Sequence, residues 1–534
     1  MSVRNGFVLL AAVSMLLFLA ACGSSNNIAT PVAPPSGNFS NSNLNGTYVF
    51  SVSGTDSTGD PYTLAGTITA NGSSTGVITG GTLDINGTNA NEFTSGPIAD
   101  ASINNNGSYS VTVDGRGQFT VGTNVSGLPN LTFDFVLSSS SHGLITEFDS
   151  FGTGSGTIDA QTANVTPSGS YAFSLSGASD GLALWGTVGN FTLSGTSATG
   201  LEDFNEGGLL SFTAQTLTGT VAVSSTAPST SLIFPSVGTL TFDVFPIDGT
   251  HLKFIEMDTT AAMSGDAFTE MTSMPAGDLA FTLSGAESAA DFAAGGFMVT
   301  DSTGDITSAS SEDVNSGGIP ASTPSFTGSY AASPTGSGRF ALTNFSQFSG
   351  GSSYAAYPSS GGVLLLETDS TGITIGAAYG PASASATFAT GEGYGLNLSG
   401  FNIADDSEVD DIAEFTANSG NTITGIIDEN SSFNGPVLGI PLSAGTYTAP
   451  SGGRGTITAT AGSSTTGTLN GGFALTFYTV DGTTFPFIET DSGQVSTGVF
   501  VMQTPSGSSA AIAKAQQVFV PHSFPRSGAK KKQK

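Results

Sequence analysis

The stretch Tyr48-Val49-Phe50-Ser51-Val52-Ser53-Gly54 sets Tyr48, Phe50 and Val52 in alternation with Val49, Ser51 and Ser53. A period of two with bulky apolar residues on one side is the signature of a strand with one buried face. The pattern returns at 171–177, 279–285 and 394–400, so its closing glycine recurs after 123, 108 and 115 residues.

Two further motifs follow in fixed order. An Asp-x-Asn lies 26 to 30 residues beyond that glycine, as Asp84/Asn86, Asp203/Asn205, Asp313/Asn315 and Asp428/Asn430. A Glu-x-Asp ends a later apolar run, as Glu147/Asp149, Glu256/Asp258, Glu367/Asp369 and Glu489/Asp491. Colinear recurrence of this kind marks an internal repeat. The chain is therefore read as four tandem homologous units of about 115 residues, at 44–163, 164–273, 274–390 and 391–506.

A fourth feature occupies three units. Gly115-Arg116-Gly117-Gln118-Phe119 matches Gly336-Ser337-Gly338-Arg339-Phe340 and Gly453-Arg454-Gly455-Thr456-Ile457. It reads as a hairpin with a tight glycine turn, where positive φ is cheap for glycine alone. The second unit carries Thr218-Gly219-Thr220-Val221 in its place.

Turn residues interrupt the alternating runs every 8–12 residues, which predicts an all-β fold of about eight short antiparallel strands per unit. A meander of that size removes its exposed edges by closing into a barrel. A β-sandwich is the alternative. Residues 286–297 are the one stretch with weak helical periodicity.

The 534 residues include 73 glycines, one cysteine, 41 acidic and 11 basic residues, for a net charge of −30. A single cysteine excludes an intrachain disulfide framework and a cysteine-based zinc site. So acidic a chain is unsuited to neutralising phosphates, which argues against a nucleic-acid partner. Lys514, Arg526, Lys530, Lys531, Lys532 and Lys534 sit in the segment 507–534, read as a basic mobile tail able to meet anionic lipid or the acidic body. With Arg4 set aside, the body keeps Arg116, Lys253, Arg339 and Arg454 against every acidic residue, a balance of −37.

The first 21 residues read as a signal peptide. Arg4 supplies the positive region, residues 7–18 the apolar one, and Ala20 and Ala21 precede Cys22. Leu19-Ala20-Ala21-Cys22 resembles the lipobox of bacterial lipoproteins, and the only cysteine of the chain stands where that motif requires it. The resemblance implies cleavage before Cys22, acylation of Cys22, and anchoring to membrane lipid. Gly23 in place of aspartate implies the outer membrane or cell surface. The alternative is an ordinary secretory signal with an incidental cysteine. Residues 23–43 carry no charge and are rich in Ser, Asn and Pro, as in a flexible tether.

The Glu-x-Asp pairs are the candidate metal ligands. On a strand the two carboxylates share a face about 6.5–7 Å apart. Glu147 continues the face of Ile145, Glu256 that of Phe254, Glu367 that of Leu365 and Glu489 that of Phe487. Such a face reads as a strand leaving the core for a solvated rim. Hard oxygen donors there suit Ca²⁺, joined by the Asp-x-Asn of the same unit. The bland alternatives are turn hydrogen bonding and ion pairing to the glycine-turn arginines. No other cofactor is indicated.

Gly72-Ser73-Ser74-Thr75-Gly76 and Gly177-Ala178-Ser179-Asp180-Gly181 fit a hydrolase nucleophile pattern, but neither stands at a strand-to-helix elbow. His142 and His251 precede two of the Glu-x-Asp runs, His522 lies in the tail, and Trp185 reads as core. The chain is thus expected to be a lipid-anchored envelope lipoprotein whose repeats form a non-catalytic spacer, adhesion or interaction module with a protein or glycan partner. A second reading has each barrel hold a small apolar molecule or sugar among Tyr48, Phe50, Tyr171 and Tyr394. A third is a hydrolase of envelope polymers.

Overall fold

The computed structural model describes residues 37–505 except 89–95, 164, 180–181, 222–228, 235–237, 289, 347–351 and 462–471. The signal peptide, Cys22, the tether up to residue 36, the tail with His522, and Asp180 and Gly181 lie outside the described residues.

The described chain is all β. Its helical content is one 3-10 turn, Asn41–Asn43. Eight strands between Gly169 and Thr269 close into a barrel, as do eight between Gly277 and Tyr379 and eight between Gly393 and Met502. Strands from Asn45 to Ala160 form a nine-stranded sheet that curls back on itself, because Val77–Gly87 pairs with Pro61–Asn71, Ile98–Ser102 and Gly107–Val111. Every pairing is between antiparallel neighbours in a meander. The first strand of each unit also meets its last, with Tyr48 opposite Ala160, Tyr171 opposite Thr269, Ala280 opposite Tyr379 and Tyr394 opposite Met502. Closure of the second, third and fourth units removes their free sheet edges, and the first curls the same way, which rejects the sandwich alternative.

Alternation decides what fills each barrel. Phe50, Phe119 and Phe133 turn inward in the first unit, with Phe119 stacked on Phe133 at 4.8 Å and Phe50 edge-on to both. In the fourth, Phe388 enters from the segment before the first strand and lies 4.4 Å from Phe485 and 5.0 Å from Phe477. Burying one such ring contributes about 1.5–3 kcal/mol. Tyr48, Tyr171 and Tyr394 are core residues whose hydroxyls donate to the carbonyls of Ser140, Gly249 and Gly482.

Two expectations need correction. Residues 286–297 are not helical but belong to the hairpin of Gly277–Glu287 and Ala290–Thr300, with Glu287 opposite Ala290. Their alanines follow packing: Ala293 lies against Ile488 and Val495 of the fourth barrel. Residues 37–43 do not behave as tether. Phe39 is buried in the first core and Asn41 donates to the carbonyl of Ser74.

In a meander, successive turns alternate between the two ends of the barrel. In the first unit the turns at 72–76, 112–115 and 138–141 share one end, here the base, where residues 37–44 and 503–505 also pack. The turns at 57–60 and 149–151 share the other, the crown, and Val77–Gly87 runs out there with Gly87 opposite Tyr62.

The barrels pack side by side in a closed cycle. Val49 and Ala65 of the first meet Phe245 and Ile255 of the second. A larger cluster continues from Val188 through Leu366 and Phe297 to Tyr478 and Ile412, and returns to Val136 and Leu144 of the first. Glycine permits the close approach. A Cβ on Gly295 would fall 2.4 Å from Tyr478, and one on Gly395 2.9 Å from Val136.

Candidate functional site at the barrel junctions

The Asp-x-Asn motif rides the third strand of each unit, in Val77–Gly87, Ser197–Glu206, Asp305–Ser316 and Thr422–Ser431. The residue between the pair faces inward, as Ile85, Phe204 and Val314 do in their cores, so Asp and Asn both face the neighbouring barrel.

Each asparagine seizes the Glu-x-Asp turn of the next unit. Asn86 Nδ2 donates towards the carbonyls of Glu256, Asp258 and Ala261 at 2.8–3.0 Å. Asn205 does so to Glu367 and Gly372, both at 2.9 Å. Asn315 reaches Glu489, Asp491 and Gln494. Asn430 reaches Glu147, Asp149 and Gly152 of the first unit and so closes the cycle. Four head-to-tail contacts of one kind that return to their start define a pseudo-fourfold ring.

Each aspartate of the motif likewise meets the next unit. Arg339 binds Asp203 through Nε and Nη2, both at 2.6 Å. Arg454 binds Asp313 at 2.7 and 2.9 Å, and Arg116 Nη1 binds Asp428 at 2.8 Å. The structural equivalent of Gly115 in the third unit is Gly338, since φ is +83° and +75° and the arginine follows directly. Tyr357 and Tyr478 add hydroxyl donors to Asp203 and Asp313 at 2.6 and 2.8 Å. The aspartates are completed by a backbone N–H of their own barrel: Ala214 for Asp203, Gly439 for Asp428 and Asp100 for Asp84.

The junction of units one and two departs from this scheme because the second unit lacks the arginine. Asp84 instead faces the carboxyl of Asp243 with no cation between them. Burial above all, then Asp243, pushes its carboxyl up to about 8. The missing cation reappears nearby. Lys253 of the second unit donates to Thr157 of the first at 2.7 Å and pairs with Asp266 at 3.1 Å, with Asp159 at 3.9 Å. His142 and His251 flank it on Asp159 and Asp266, each at 2.7 Å. Each junction therefore contains one of the four basic residues of the body.

The Glu-x-Asp carboxylates have separate tasks. Oδ1 of the aspartate accepts from the N–H two residues on, at Phe151, Thr260, Thr371 and Gly493. Oδ2 accepts from an N–H near the start of a strand or just before it, at Thr132, Thr241, Ser353 and Ala474. This is turn chemistry, repeated in every unit. The glutamates do not reach a solvated rim as their spacing suggested; all four are buried, 0 to 1% exposed. Tyr62 donates to Glu147, Thr374 to Glu367 and Ser496 to Glu489. Burial drives Glu256 up to about 11 and Glu367 to about 10, so both are neutral carboxylic acids.

Nor does each pair join the Asp-x-Asn of its own unit. It joins that of the preceding one, through carbonyl groups. Among the described residues no group of three or more His, Cys, Asp or Glu is placed to hold a metal ion. The sequence named these motifs without showing that they meet across units. One arginine per glycine turn, matched to one aspartate per repeat, was the available signal.

Ser74, the central serine of the first hydrolase-like match, lies exposed in a turn, and its carbonyl accepts from Asn41 at 3.2 Å. Trp185 is buried edge-on to Phe204 at 5.2 Å. A half-open cavity of about 240 Å3 lies between barrels, lined by Met271, Tyr379, Pro381 and Val480.

No protein-family model matches this chain, and no curated protein sequence matches it. Among solved structures it is similar to isotype 1 transferrin-binding protein B from serogroup B Neisseria meningitidis, at 11% identity, over 68% of this chain and 83% of that one. The TM-score is 0.19.

Proposed function

We propose that this chain is a lipid-anchored protein of the bacterial cell envelope, held at the outer membrane or cell surface through acylated Cys22, whose four-barrel ring is a non-catalytic interaction module. One observation carries the reading. The recurrent polar residues of the body are consumed in holding barrel to barrel, and aromatic rings fill the barrel interiors, which leaves the outer surface as the working part.

A catalytic centre needs polar groups poised towards a substrate, and the repeated motifs point instead into junctions. For a small-ligand role the specific support is the cavity beside Met271 and Tyr379, which lies outside the barrels and has about 240 Å3. That is below the size usual for ligand sites, about 300–1,000 Å3.

The test is fractionation of cells making the wild type or Cys22→Ser, with palmitate labelling. Wild type should carry label and sediment with membranes, and the variant should lose both. Unchanged sedimentation of an unlabelled wild type would overturn the anchor.

A further inference from the structure

Three of the four barrels send an aliphatic side chain into solvent directly after Asp-x-Asn. They are Leu209 at 84% exposure with Leu210 beside it, Ile319 at 72% and Leu438 at 63%. The equivalent connection of the first barrel is not wholly described. Two of the local sequences share Gly-Gly before the aliphatic residue, and the third differs. Glu206-Gly207-Gly208-Leu209 and Ser316-Gly317-Gly318-Ile319 are short, and Ser431-Ser432-Phe433-Asn434-Gly435-Pro436-Val437-Leu438 is twice as long. Only an aliphatic residue at the tip is common to them. A side chain so exposed contributes little to folding, and its recurrence at the equivalent place in three barrels repeats an apolar tip around one face.

The ring fixes where these tips stand. Rotation about one axis leaves equivalent points at equal height, so all three lie on the crown face. The segments 37–44 and 503–505 pack on the base instead, where Phe39 N–H donates to Val113 and Gln503 to Asp114. The two short connections also stand next to an acidic turn of the following barrel. A Cβ on Gly208 would lie 3.2 Å from the carbonyl of Ser370, beside Asp369, and one on Gly318 2.8 Å from that of Ser492, beside Asp491. The strand that leads into the third connection meets the Asp149 turn through Asn430. All four basic side chains of the body are committed to junctions, so none offsets these carboxylates.

Resting on the interaction-module reading, we infer that the crown face docks a protein whose contact surface is apolar and rimmed by lysine or arginine. The charge argues for this occupant. An anionic lipid surface is repelled by the acidic turns, and a second copy of this chain would set two such faces against each other.

The test uses the Cys22→Ser chain with and without Leu209→Ser, Ile319→Ser and Leu438→Ser, at physiological salt. The probes are a synthetic amphipathic Lys/Leu peptide and an all-lysine peptide of equal charge, read by fluorescence anisotropy. The Lys/Leu peptide should bind the parent at least about tenfold more tightly than all-lysine, and the triple variant should lose that margin. The substituted residues are exposed, so melting should not change. Equal Lys/Leu binding by the variant overturns the assignment of this face, whereas the anchored-module reading stands or falls separately on the Cys22→Ser fractionation. Dimers in sedimentation, or flotation with phosphatidylcholine or phosphatidylglycerol vesicles, overturn the proposed occupant if the triple variant abolishes them.

Discussion

Arg339 leaves the third barrel and grips Asp203 of the second through two nitrogens at 2.6 Å, with both side chains buried. This pair shows how the ring is held. A guanidinium fork matches a carboxylate, and a tyrosine and a backbone N–H supply the remaining donors.

Arg339→Leu leaves the Asp203 carboxylate buried without its cation, which costs about 3–5 kcal/mol. Adding Asp203→Asn removes the stranded charge and should recover part of the loss. Arg454→Leu should cost less than Arg339→Leu, because Arg454 keeps 40% of its side chain in solvent. Calorimetric melting of the four proteins checks the order.

Asn315→Ala strips a donor from the carbonyls of Glu489, Asp491 and Gln494. Orphaned buried acceptors cost about 1–3 kcal/mol. The loss should appear in denaturant melts, with faster hydrogen exchange in the turn following Glu489 than in the barrel cores.

These contacts mark the limit of what single-chain reading reaches. The barrels were legible because alternation such as Tyr48-Phe50-Val52 and the recurring Gly54 are local signals. The use of Asn86 was not, since its carbonyl partners at Glu256, Asp258 and Ala261 belong to another repeat and identical side chains would serve a turn equally well. The burial of Glu147 was hidden for a similar reason. Its face is apolar up to Ile145, and only the neighbouring Tyr62 makes an interior carboxyl tolerable. The alanines of 286–297 misled because small side chains chosen for barrel contact imitate a helix former.

Stability should fall as pH rises from about 5 to about 9. Asp84 is pushed to about 8, Glu367 to about 10 and Glu256 to about 11, all mainly by burial. A carboxyl whose pKa is higher folded than unfolded favours folding fully below the unfolded value, near 4. That advantage is lost as pH climbs through the window up to the folded value. Asp243→Asn lets Asp84 ionise beside an amide and should shrink the loss between about pH 6 and 9. Melting temperature against pH for both proteins reads this out.

Calcium should leave the melting temperature unchanged. The oxygens of Asp149, Asp258, Asp369 and Asp491 are taken by backbone N–H donors, and the paired glutamates are buried. A rise with calcium that disappears in Glu256→Gln with Asp258→Asn would restore a cation role for these pairs.

Closure of the ring between its fourth and first barrels is tested most directly by one disulfide. A Cβ placed on Gly395 lies 3.6 Å from Cβ of Val136, within the span of about 3.5–4.5 Å that a disulfide bridges. In a Cys22→Ser chain carrying Val136→Cys and Gly395→Cys, mild oxidation followed by peptide mass spectrometry should find the two joined within one molecule. Free thiols, or bridges only between molecules, would mean that the first and fourth barrels do not meet.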